Sequence, residues 1–238
     1  MLELKNINYS INGKNILNNI NLKFDDKKIV VITGANGSGK STLVKLIMGL
    51  IQPTSGQVFF DGKDITNFSI NERAEIGFAI AFQQPIKFKG ITVGKLLELA
   101  QKGSKDIQKP KLKDYCECLS KVGLCARNYL DREFNSSLSG GELKRIEIAM
   151  VLARNVKVNI FDEPEAGIDL WSFDSLLQIF KNLKRKSLCV IITHEEKIIN
   201  LADDIVVLNN SSIDKFGSKS EVIGILGKKI CNKLKRGK

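Results

Sequence analysis

The stretch Gly34-Ala35-Asn36-Gly37-Ser38-Gly39-Lys40-Ser41 constrains this chain more than any other feature. It has the form G-x-x-x-x-G-K-S and stands between an apolar run, Lys28 to Thr33, and a helical pattern from Lys40 to Leu50. Glycines at those places let successive backbone N–H groups close around phosphate oxygens, and a helix start adds partial positive charge. Lys40 is therefore expected to reach the β- and γ-phosphates of a nucleotide and the Ser41 hydroxyl to ligate Mg²⁺, with Thr42 completing the site.

Strand and helix signals around this loop point to an α/β fold. Leu2, Leu4, Ile7 and Tyr9 lead into a loosely alternating run from Ile16 to Phe24, and Asn12-Gly13 supplies a hairpin turn between them. Gln52-Pro53-Thr54-Ser55-Gly56 is expected to break the helix after the loop, before strands at Gln57 to Phe60 and Ile76 to Phe82. From Ile91 to Ala153 the spacing becomes helical, and strands return at Val156 to Phe161, Leu188 to Thr193 and Ile205 to Leu208. Alternating strands and helices imply a mostly parallel sheet carrying a helical insertion.

Val158-Asn159-Ile160-Phe161-Asp162-Glu163 is an apolar strand ending in two carboxylates. That places both at the carboxyl edge of a parallel sheet, where α/β folds bind ligands. Asp162 is expected to hold the Mg²⁺ shell and Glu163 to polarise a water against the γ-phosphate.

Leu138-Ser139-Gly140-Gly141-Glu142, followed by an apolar helix, resembles the signature sequence of ATP-binding-cassette (ABC) ATPases. The resemblance covers roughly residues 1 to 225. It implies ATP and Mg²⁺ as cofactors and an ATP-dependent homodimer in which Ser139, Gly140 and Gly141 grip the γ-phosphate held by the opposite subunit. Gln83 matches the Q-loop glutamine that contacts Mg²⁺ and the attacking water. Asp169, in Ala166-Gly167-Ile168-Asp169, matches the D-loop, and His194 matches the switch histidine that contacts the γ-phosphate. The resemblance further implies a phosphate-loop core over residues 1–86 and 154–226 with an antiparallel N-terminal β-subdomain, and a helical subdomain over 87–153. Ile11 departs from the pattern, standing where the family usually stacks an aromatic ring on adenine.

Two stretches narrow the resemblance. Ala81-Phe82-Gln83-Gln84-Pro85 and Phe161 to Phe173 look like the SufC-type ATPases of the SUF iron–sulfur cluster assembly system, in the short form of archaea and anaerobes. That implies a soluble SufB-like scaffold as partner, and the alternative is the nucleotide-binding subunit of a membrane transporter. With 238 residues there is no room for the long insertions or paired cassettes of DNA-repair and translation-factor relatives.

Composition bounds the partners. No apolar run approaches the ~20 residues a membrane span needs, and the start, Met1-Leu2-Glu3-Leu4-Lys5, has no signal-peptide pattern. A cytoplasmic protein without direct membrane insertion is expected, its five cysteines being scattered reduced thiols, Cys116, Cys118 and Cys125 included. The net charge of +11 is concentrated in Gly227 to Lys238, which holds six bases and no acid. This basic tail reads as a solvated end, and no nucleic-acid partner is expected.

Overall fold

The computed structural model describes residues 1–102 and 111–224. In chain order the first elements are β1 (Leu2–Ile11), β2 (Lys14–Phe24), β3 (Ile29–Gly34), α1 (Lys40–Ile47), β4 (Ser55–Phe60), β5 (Lys63–Asp64), α2 (Ile70–Glu75) and β6 (Phe78–Ala81). Four helices follow: α3 (Val93–Lys102), α4 (Leu112–Ser120), α5 (Ala126–Tyr129) and α6 (Gly140–Arg154). The last are β7 (Val158–Asp162), α7 (Leu170–Lys184), β8 (Leu188–Ile192), α8 (Glu196–Ile199), β9 (Asp204–Asn209) and β10 (Ser212–Ser218).

Two sheets form. Asn12 and Gly13 take φ of 50° and 74°, the backbone a two-residue hairpin needs to follow the right-handed strand twist. They join β1 to β2 with Ile11 opposite Lys14, and the antiparallel sheet has the order β2-β1-β4-β5. The second sheet has the order β10-β9-β3-β8-β7-β6 and is parallel except for the β9–β10 hairpin at its edge. All its parallel strands therefore deliver their carboxyl ends to one edge, where the phosphate loop and Asp162 lie.

Side-chain alternation along these strands splits the interior in two. Val30 and Ile32 of β3, with Val190 and Ile192 of β8, face a core shared with α1 and the antiparallel sheet. Ile29, Val31, Cys189 and Ile191 face the opposite core, shared with α3, α4, α6 and α7. Because the strand period is two, a one-residue slip would exchange every side chain between the cores, so burial on both faces fixes the register.

Several boundaries differ from the sequence expectation for local reasons. The helix after the phosphate loop ends at Ile47, earlier than Leu50, because Gly49 takes φ 72° and stops it before the proline-containing stretch is reached. The strand expected at Ile76 to Phe82 spans only Phe78–Ala81, since Ile76 caps α2 and Gly77 turns the chain at φ 108°. α2 itself begins with a capping box, Ser69 with Glu72. The basic tail, Gly227 to Lys238, lies outside the described residues.

Candidate nucleotide site

Backbone crowding explains why the phosphate loop needs glycine at both ends. A Cβ on Gly34 would lie 1.9 Å from the Leu208 carbonyl oxygen of β9, and one on Gly39 would lie 2.7 Å from the Ile16 carbonyl oxygen of β2. Both also have positive φ, 139° and 102°. The loop is thus clamped between the two sheets, while Ala35, Asn36 and Gly37 between these anchors are exposed. Lys40 begins α1, and its ammonium donates to the carbonyls of Gly34 at 2.8 Å and Ala35 at 3.0 Å. Burial lowers its pKa, and the carboxylates of Glu163 and Asp162 oppose that shift. Ser41 and Thr42, in the same first turn, are half-buried.

Asp162 ends β7 almost fully buried, and burial pushes its carboxyl group up. The Ser41 hydroxyl lies close enough to oppose that shift, while Oδ1 of Asp162 has no partner among the described residues. An orphaned carboxylate oxygen beside a hydroxyl is the donor chemistry of a hard divalent cation, so these residues fit Mg²⁺. Glu163 is held at φ 46° by its N–H, which donates to the Ile192 carbonyl at 2.9 Å. Gln83 Nε2 donates to Glu163 Oε2 at 2.6 Å across 80 residues of sequence. His194, exposed after β8, has Nδ1 3.4 Å from the Thr33 hydroxyl, so it stands beside the phosphate loop. Gln83, Glu163, His194, Lys40, Ser41 and Asp162 therefore share the carboxyl edge of the parallel sheet.

Ser139, Gly140, Gly141 and Asp169 are placed differently. No hydrogen bond or ion pair among the described residues joins them to the phosphate loop of their own chain. Ser139 caps α6, its Oγ accepting from the Glu142 N–H at 3.2 Å while Glu142 accepts from the Ser139 N–H at 2.7 Å. Glu142 also accepts from the Tyr129 hydroxyl at 2.7 Å, and that bond, with the Ser139 N–H, holds its pKa down at about 2. Ser139 and Gly140 are exposed, so the N-terminus of α6 points its cap toward solvent. Asp169 caps α7, accepting from the Ser172 N–H at 2.9 Å. The preceding loop presses on α6, because a Cβ on Gly141 would lie 2.7 Å from the Gly167 carbonyl oxygen.

Ile11, at the adenine-stacking position, is exposed at the end of β1, whereas Tyr9 packs partly buried on the core. Cys118 is buried, and Cys116 and Cys125 are exposed.

Sequence reasoning missed a buried ion pair on α6. Lys144 is 1% exposed; its ammonium donates to the Phe82 carbonyl and to that of Asp162 at 3.3 Å, with Glu147 3.6 Å away. Glu147 Oε1 in turn accepts from the Phe82 N–H at 3.0 Å. Burial pushes both groups toward neutrality, and the charge of each opposes that shift in the other. The pair seizes both backbone groups of the residue before Gln83. Two opposite charges three residues apart, flanked by Leu143, Ile146 and Ile148, were the available signal.

The two-sheet fold, the glycine-clamped loop and the carboxylates at the strand ends define a nucleotide-binding α/β cassette. A family model described as ABC transporter matches residues 17–166, and the chain belongs to that ATP-binding family. As an ABC ATPase it binds and hydrolyses ATP. It is 38% identical over 240 residues to the uncharacterized ABC transporter ATP-binding protein MJ0035 of Methanocaldococcus jannaschii, covering 98% of this chain and 94% of that one. It is 31% identical to the probable ATP-dependent transporter ycf16 of Antithamnion sp., over 84% of this chain and 83% of the relative. Among solved structures it resembles the dimeric post-hydrolysis ATP-binding cassette MJ0796 bound to ADP and Pi. That likeness has a TM-score of 0.82 at 25% identity, over 92% of this chain and 99% of the other. No helix among the described residues is long and apolar enough to cross a membrane.

Proposed function

We propose that this ATPase works as a head-to-tail homodimer that drives a conformational change in a soluble SufB-like scaffold of iron–sulfur cluster assembly. Each ATP would lie between the phosphate loop of one subunit and Ser139, Gly140 and Gly141 of the other. Within a subunit, Lys40 and the loop amides hold the phosphates, and Glu163, kept in place by Gln83, orients and activates the attacking water. His194 is placed to contact the γ-phosphate. Ser41, Asp162 and Gln83 would hold Mg²⁺, which when bound neutralises phosphate charge.

The observation that carries this reading is the two-ended role of α6. Its exposed N-terminus presents the cap that would meet the partner's nucleotide, and one turn further in Lys144 and Glu147 grip Phe82. Phe82 borders an apolar cleft of about 280 Å³ whose walls include Ile70, Phe78, Ile80, Ile86 and Met150. Ile86 is 54% exposed there. Closure on ATP would therefore pull, through one rigid helix, on a surface suited to a partner's apolar segment. The SufC-like residues around Gln83 and from Phe161 to Phe173 favour a soluble scaffold as that partner. The relatives named above, an uncharacterized ABC transporter ATP-binding protein and a probable ATP-dependent transporter, favour the second reading, a membrane transporter subunit.

Gentle native purification followed by reconstitution separates the two. The isolated chain should turn over slowly, and a soluble SufB-like scaffold should co-purify and stimulate it. Stimulation only by an integral membrane partner would replace this reading with the transporter one.

A further inference from the structure

At the opposite edge of the parallel sheet lies a second cleft, of about 860 Å³, that the nucleotide chemistry does not use. It opens where the strands begin: Ile29 starts β3, Asp203 precedes β9, and α7 ends beside it before β8. The six residues of β3 separate it from the phosphate loop, a span of roughly 20 Å at the usual strand rise.

Its rim is cationic. Lys27, Lys181, Lys184, Arg185 and Lys219 line it, against Asp203 as the one acid among its lining residues. That acid is already spent: Lys184 meets Asp203 Oδ1 at 2.6 Å, and the Ile29 N–H donates to Oδ2 at 2.9 Å. The neighbouring Asp204 is likewise bound, by Lys28 at 2.9 Å. The Lys219 ammonium donates to the Asn200 carbonyl at 2.7 Å. Lys27, Lys181 and Arg185 are exposed and have no carboxylate partner among the described residues. Like charges gathered in a cleft focus a positive potential and favour an anionic occupant.

The floor narrows the choice. Ile29 and Ala202 are buried beneath the rim and Leu201 is half-buried, so the site has an apolar base under its charges. No aromatic side chain lines it, which removes the stacking surface that single-stranded nucleic acid uses. The chain's own continuation cannot serve, because residues 225–238 contain six bases and no acid. A second copy meeting it through the equivalent cleft is disfavoured, because that would set cation against cation.

From this we infer that the cleft is a docking site for an acidic, leucine-bearing segment of a partner protein, remote from the apolar cleft beside Phe82. Its carboxylates pair with Lys27, Lys181 and Arg185 while an aliphatic side chain covers the half-buried Leu201. Such charge pairing sets encounter rate and orientation more than raw affinity, so the contact weakens with salt.

The test uses the full chain and a short peptide of alternating Glu and Leu carrying an uncharged fluorophore, read by anisotropy at low and high salt. Oligothymidylate and phosphatidylglycerol vesicles are run in parallel. The peptide should bind in preference to both, and Lys27→Glu/Lys181→Glu/Arg185→Glu should weaken it by about tenfold or more. The neutral set Lys27→Gln/Lys181→Gln/Arg185→Gln should give a smaller loss and guards against a folding defect. Lys228→Glu/Lys229→Glu/Lys233→Glu, in the tail, should leave peptide binding intact. ATP turnover of the cleft variants should match the parent chain, so the outcome is independent of which partner the nucleotide cycle drives. Tighter binding of oligothymidylate or vesicles, indifference to the cleft substitutions, or loss only in the tail variant would overturn the inference.

Discussion

Two side chains at the site make opposite demands on their surroundings. In the proposed mechanism Glu163 must stay charged beside phosphate, and Ser139 must stay accessible on a helix end. Replacing Glu163 by Gln keeps the shape and removes the charge that would activate water. Turnover should fall by about 10²- to 10⁴-fold, while ATP binding persists through Lys40 and the loop amides. The trapped ATP should raise the dimer fraction in light scattering, and adding Ser139→Arg should abolish that rise. Glu142, behind the cap, gives a pH signature. Its carboxyl lies near 2 in the folded chain against an ordinary value of 4.5. The folded state thus holds its proton more weakly than the unfolded chain. Its contribution is complete above about pH 4.5 and disappears as pH falls toward 2. The stability gap between the parent chain and Glu142→Gln, followed by urea titration, should therefore narrow across that window. These residues were legible because each belongs to a short run whose neighbours declare it. Lys40 follows its glycines, Glu163 ends its strand, and Ser139 precedes its helix.

Arg73 illustrates what a local reading of elements misses. It is fully buried on α2, and its guanidinium donates to the carbonyls of Leu46, Ile47, Ile65, Thr66 and Phe68. Two of these belong to the last turn of α1, so Arg73 caps the helix that begins at the phosphate loop. Burial lowers its pKa to about 10, still charged at neutral pH. Arg73→Met should cost about 3–5 kcal/mol in chemical denaturation, because buried carbonyls lose their donors. In the sequence it is one base in a polar stretch, Asn71-Glu72-Arg73, with nothing to reveal five carbonyl acceptors, two of them at the end of α1. The Lys144–Glu147 pair is hidden in the same way. Lys144→Met would leave Glu147 a lone buried carboxylate and should destabilise by about 3–5 kcal/mol, whereas Lys144→Met/Glu147→Gln should recover part of that loss in a double-mutant cycle. Periodicity located α6 but could not tell that it is buried nearly all round, where charged residues must find partners.

At the scale of the whole molecule, strand order was less legible than strand existence. Apolar runs announced β3, β7, β8 and β9, yet only the assembled sheet shows β3 lying between β8 and β9. Pairing of that kind depends on contacts far apart in sequence, which hydrophobic pattern does not encode. The edge strand β10 escaped notice because its residues are half-exposed and mixed in polarity. The contact between Gly141 and Gly167 has a kinetic consequence. Glu163 lies four residues before Gly167 on one continuous loop, so the residue that would activate water against one ATP is mechanically tied to the helix that would cradle the other. In the proposed symmetric dimer this would make the two hydrolysis events interdependent. Turnover should rise sigmoidally with ATP, and Gly141→Ala should flatten that curve toward a hyperbola, because the pair would then be held apart and each half would keep its own time.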